Sequence, residues 1–93
     1  MRLVTTPSGS GQDTPAVASR QEIRNTVGAN LRRLREAMGW TQNQLGAKAG
    51  LGGRDGSFFE TGRRTPCAWN LVRLCRALGA PADVVLGMTG GAQ

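Results

Sequence analysis

The sequence predicts an all-α protein, a compact bundle of five short helices behind a disordered N-terminal arm. Three observations carry this. Apolar residues recur every three or four positions through most of the chain, no run alternates as a strand does, and glycine stands where each periodic stretch stops. At 93 residues there is room for one domain. The expected organisation is an arm at 1–19, a folded domain at 20–87 and a frayed tail at 88–93.

The arm, MRLVTTPSGSGQDTPAVAS, is rich in Gly, Ser, Thr and Pro and lacks the apolar surface needed to offset the entropy of ordering. Ser19 followed by Glu22 is a capping box, in which each side chain satisfies the other residue's free amide, so the first helix starts there. Ile23, Val27, Leu31, Leu34 and Met38 then mark one face, and Gly39 ends it. Thr41 with Gln44 repeats the box for a second helix of about two turns, with Leu45 and Ala49 inward and Gly50 as its stop.

The next stretch, LGGRDGSFFETG, is the hardest to read. Glycine inside a helix costs up to about 1 kcal/mol, and Gly52, Gly53 and Gly56 all argue against one here. Phe59 nevertheless continues the apolar rhythm from Leu51, which places a third helix from about Gly53 to Thr61, dependent on packing and stopped by Gly62. A basic loop follows with Arg63, Arg64, Thr65 and Pro66. Leu71, Leu74, Cys75 and Leu78 define a fourth helix ending at Gly79, and Pro81 opens a short fifth through Leu86, after which GMTGGAQ frays.

Composition narrows the chemistry. There are 12 basic and 6 acidic residues, and all basic residues but Lys48 are Arg, whose planar fork suits phosphates and base edges. Eleven of the twelve lie between Arg20 and Arg76, so the positive field belongs to the folded domain. His is absent and only two Cys occur, which excludes His-based triads and leaves no four-ligand zinc site. GLGGRDG misses the G-x-G-x-x-G spacing at Asp55 and has no strand before it. No enzyme, cofactor or metal is expected. Cys67 and Cys75, eight residues apart on one helix, stand roughly 12 Å apart along its axis, too far for a disulfide. Cys75 is read as a small core residue. No segment reaches the length of a membrane span, the N-terminus lacks the apolar stretch of a signal peptide, and a cytoplasmic location is expected.

Two short helices joined by a glycine turn, the second followed by a basic loop, form a helix-turn-helix, whose second helix can enter a major groove. The segments VGANLRRLREAMGWTQNQLGAKAGL, FFETGRRTP and LVRLCRALGAPADVVL resemble, in order and spacing, the lambda-repressor-like (Xre-type) helix-turn-helix family. The resemblance runs from Val27 to Leu86. It implies a transcriptional regulator that binds double-stranded DNA, in the manner of a repressor occupying an operator. It also implies an ion pair between Arg35 and Glu60, a phosphate contact from Gln42 at the positive end of the second helix, and phosphate contacts from Arg63 and Arg64. Gly53 and Arg32 are further phosphate candidates. Gly46 falls where relatives carry Ala, at a close helix approach.

The reading helix departs from the family, with glycine at 52 and 56 where relatives carry a cap and a β-branched residue. Its outward candidates are Arg54, Asp55, Ser57 and Phe58. Arg54 is the one able to grip guanine O6 and N7, worth about 1–3 kcal/mol of discrimination. Asp55 either takes a cytosine amine, orients Arg54 or is a helix-start charge. Phe58 either presses on a thymine methyl or packs on the scaffold. Trp40 is expected half-buried at the corner between the first two helices and Trp69 on the surface. Val84, Val85 and Met88 are candidate contacts of a homodimer on DNA. The competing reading is a protein-interaction module, or a nonspecific DNA binder, that keeps this fold with a degenerate reading helix.

Overall fold

The computed structural model describes residues 19–88. The expected arm, apart from Ser19, and residues 89–93 of the expected tail lie outside the described residues. The chain forms α1 (Arg20–Ala37), α2 (Gln42–Ala49), α3 (Asp55–Glu60), α4 (Ala68–Leu78) and α5 (Ala82–Leu86), with no strand among the described residues.

Both capping boxes are closed in both directions. Ser19 Oγ accepts the Glu22 N–H at 3.0 Å while Glu22 accepts the Ser19 N–H at 2.8 Å. Thr41 and Gln44 do the same at 3.1 and 2.8 Å. These local bonds set the starts of α1 and α2 whatever the rest of the chain does. Gly50 then ends α2 with φ of +71°, a left-handed turn that glycine adopts without strain, and the chain reverses toward α3.

The helices enclose one apolar centre. Val27 and Leu31 of α1, Leu45 and Ala49 of α2, Phe59 of α3, Leu74 and Leu78 of α4 and Val85 of α5 are all buried. Among the described residues, no polar or charged residue is fully buried beside them. Long α1 lies across α3 and α5, whereas α2 packs on α4 and α3. Trp40, Leu34 and Cys75 lean on this core from its edge. Burial pushes the Cys75 thiol up from its ordinary range, with the Asp83 carboxylate adding to the effect, so it stays protonated at neutral pH. Cys67 is exposed and stands at the N-cap of α4, just outside the helix.

Five expectations change. Ile23 and Met38, at the two ends of the α1 stripe, remain about half exposed because the helix outruns the layer it covers. Helix α3 begins at Asp55, not Gly53; Arg54 occupies its N-cap with no side-chain bond to the helix, so nothing there offsets the entropy of ordering two glycines. The glycine of close approach is not Gly46, where an added β-carbon would meet nothing within 4 Å. It is Gly28, where a β-carbon would lie 2.8 Å from the Glu60 carbonyl oxygen and closer still to that of Phe59. Val85 has 0% exposure and belongs to the core, so it cannot form the surface of a dimer. Finally, the chain past α5 is held through Met88, whose N–H donates to the Asp83 carbonyl at 2.8 Å.

Candidate nucleic-acid interface

The outer surface of α2, α3 and the following loop carries most of the residues singled out in the sequence, and its geometry starts from the end of α3. Gly28 lets the α1 backbone come against the carbonyls of Phe59 and Glu60. At that contact Arg35 grips Glu60 with two parallel bonds, Nε to Oε2 at 2.7 Å and Nη2 to Oε1 at 3.0 Å. A third donor, Nη1, reaches the Trp40 carbonyl at 2.7 Å. The side chains are only 12% and 3% exposed, so the pair is shielded from solvent and salt. Hydrogen bonding to Glu60, outweighing burial, raises the Arg35 pKa above its ordinary value and keeps the guanidinium charged.

Gln42 joins this cluster. Its Nε2 donates to Glu60 Oε1 at 3.1 Å, so the first residue of α2 is tied to the last residue of α3. The expected phosphate contact is thereby narrowed: one side-chain N–H of Gln42 is committed inward, and the other remains for a ligand. The two helices of the motif are thus fixed by a polar clasp of three residues as well as by Leu45 and Phe59.

The beginning of α3 is open. Arg54 is exposed and makes no ion pair or side-chain hydrogen bond among the described residues. Asp55 does not orient it; its carboxylate lies 3.9 Å from Arg64 instead. Ser57, Gly53 and Gly56 line a shallow groove of about 250 Å³ against Gln42, Gly46 and Ala47 of α2. Phe58 is half-buried, with the Arg64 and Arg63 guanidinium carbons 4.9 and 5.9 Å from its ring centre. Both arginines are exposed.

The structure therefore brings together Asp55, Phe58, Arg63 and Arg64 at one edge of α3, and Gln42, Arg35 and Glu60 at the other. Arg32 joins neither group. It pairs with Glu36 one turn along α1 at 3.1 Å. Of the dimer candidates, Val84 is half-buried and Met88 is 64% exposed. Trp69 is 68% exposed and carries Arg73 over its ring at 4.9 Å.

Two supporting residues went unread in the sequence. Gly28 could have been suspected, because a glycine in the middle of an otherwise strong helix costs about 1 kcal/mol and calls for a packing reason. Arg73, whose Nη1 donates to the Gly50 carbonyl at 3.0 Å and so braces the turn, carries no such signal.

This arrangement has counterparts. A helix-turn-helix domain family matches residues 26–86. A relative from Sinorhizobium fredii, the uncharacterized HTH-type transcriptional regulator y4dJ, is 40% identical over 58 residues, covering 62% of this chain and 75% of the relative. Among solved structures, the hypothetical transcription factor NHTF from Neisseria superposes with a TM-score of 0.67 at 29% identity, over 74% of this chain and 79% of its own. The clp gene regulator ClgR from C. glutamicum does so with a TM-score of 0.64 at 31% identity, over 76% and 92%. With the match spanning all five helices of the described residues but the start of the first, the chain belongs to the helix-turn-helix domain family.

Proposed function

We propose that this protein is a sequence-specific regulator of transcription that occupies an operator in double-stranded DNA as a repressor. In this reading α3 enters the major groove, and Arg54 reads guanine. The observation that carries it is the contrast among the arginines: Arg35 and Arg32 are engaged by carboxylates, while Arg54 at the start of α3 has no partner among the described residues. A free guanidinium on the exposed end of a firmly docked helix suits a bidentate base contact. Arg63 and Arg64 flank it as phosphate contacts that set the register. Such a protein would act in the cytoplasm on the nucleoid, and no described helix is long and apolar enough to cross a membrane.

Selection of bound duplexes from a random library at moderate salt tests this directly. A recovered motif containing guanine, with Arg54→Ala losing about 1–3 kcal/mol of preference at that base, is the expected result. Binding without a motif would replace this reading with that of a nonspecific binder, and no binding would favour a protein-interaction module. Two copies on half-sites about one turn of DNA apart fit the exposed Met88 beside half-buried Val84 at the end of the bundle. A selected motif with twofold symmetry, and sedimentation as two chains per duplex, would accompany that arrangement; an undivided site bound by one chain would remove it.

A further inference from the structure

Phe58 is placed as neither a plain base contact nor a plain packing residue. Its ring lies under the Arg64 guanidinium at 4.9 Å and that of Arg63 at 5.9 Å, both within cation–π range. Its carbonyl oxygen accepts the backbone N–H of Arg63 at 3.0 Å and of Arg64 at 3.3 Å. One residue therefore holds both the backbone and the side chains of the basic loop.

The way it holds them matters. A carboxylate partner consumes guanidinium donors, as Glu60 does with Arg35. An aromatic ring engages the flat face of the guanidinium and leaves the N–H groups around its rim free. The Asp55 carboxylate is 3.9 Å from Arg64, beyond hydrogen-bond length, and the Arg64 side chain is 62% exposed. The side chain is thus largely open to solvent while the ring restrains its position.

We propose that Phe58 is a positioning residue for a preformed phosphate site. Its ring and carbonyl hold Arg63 and Arg64 ready for the phosphodiester oxygens of DNA, and it reads no base itself. The inference rests on the DNA-binding reading above and extends it. Immobilising a long side chain on binding costs roughly two- to twelvefold in affinity, and for each arginine part of that cost is met when the protein folds.

The test uses the full chain with Phe58→Leu, which keeps the apolar bulk and removes the ring, and Phe58→Tyr, which restores it. Affinities are measured for a selected duplex and for a random one. Phe58→Leu is expected to weaken both about tenfold and by the same factor, while Phe58→Tyr stays within about twofold of the parent. In an Arg63→Ala/Arg64→Ala background, Phe58→Leu should have no further effect. A loss confined to the selected duplex would make Phe58 a base reader, and a loss that persists without the arginines would make it merely structural; either overturns the proposal. Nuclear magnetic resonance of the free protein separates this from the DNA reading. Ring-current shifts of the Arg63 and Arg64 side-chain protons should be present in the parent and absent in Phe58→Leu. Their absence in the parent overturns the positioning role even if DNA binds, whereas failure of the parent to bind any duplex overturns the regulator reading instead.

Discussion

The two ends of α3 are held by different means, although the helix is only six residues long. At its C-terminal end, Phe59 is 3% exposed and Glu60 is clasped by Arg35 and Gln42. The α1 backbone fits against that end over Gly28. At its N-terminal end, Gly52, Gly53 and Arg54 are exposed and no side chain caps the first turn. Burial and charge fix where the helix points, and the residues that would meet a ligand are left unsatisfied by the protein itself. The reading role proposed for α3 needs both: a rigid root for register and an open tip for contact.

Breaking the root should have the largest effect. Glu60→Ala leaves the shielded Arg35 guanidinium without its carboxylate and is expected to destabilise the fold by about 3–5 kcal/mol, a large share of what so small a domain has. Urea unfolding measures this, and an unchanged midpoint would reduce the clasp to a surface pair. Gly28→Ala comes next. Its methyl meets two carbonyl oxygens that cannot swing aside, and a loss of about 1–3 kcal/mol is expected in the same experiment.

Changes in the groove between α2 and the tip of α3 should be smaller and of opposite sign. Gly46 and Gly56 have ordinary helical backbone angles, and an added β-carbon meets nothing closer than 3.9 Å. Gly46→Ala and Gly56→Ala should each stabilise the protein by about 0.4–1 kcal/mol, chiefly by restricting the unfolded chain, and calorimetry would show the rise in Tm. A fall in Tm would mean that the groove between α2 and α3 has no room to spare. The smallest signal is local. Amide hydrogens at 52–56 should exchange faster than those of Phe59 and Glu60 in the free protein and slow when a duplex is bound. Equal protection in both states would mean that the tip is as rigid as the root.

Much of the fold is legible because its signals are short-range. Ser19 with Glu22 and Thr41 with Gln44 name both halves of each cap within three residues, and the stripe from Val27 to Leu34 needs only helical periodicity. Sequence reasoning starts α3 two residues early because glycine content and apolar rhythm pull in opposite directions there, and only packing at Phe59 decides how far the helix extends. At the candidate site, the residue types are readable but their partners are not. Arg35 and Glu60 stand 25 positions apart, and their pairing comes from the family resemblance. Nothing in the sequence says that Gln42 turns toward Glu60, that Asp55 faces Arg64 rather than Arg54, or that Phe58 lies beneath two arginines.

The sequence by itself determined the order of the five helices, where glycine and the caps break them, the apolar stripes that must be buried, and a positive charge concentrated in the folded domain. These depend on neighbours within a turn or two of backbone, or on simple counting. Only the tertiary structure decided that Gly28 rather than Gly46 is the point of close approach, that Val85 is core, and which arginines are engaged and which are free. Those outcomes depend on distances between residues remote in the chain, and burial, which makes an ion pair strong or a methyl group intolerable, exists only once the helices have packed.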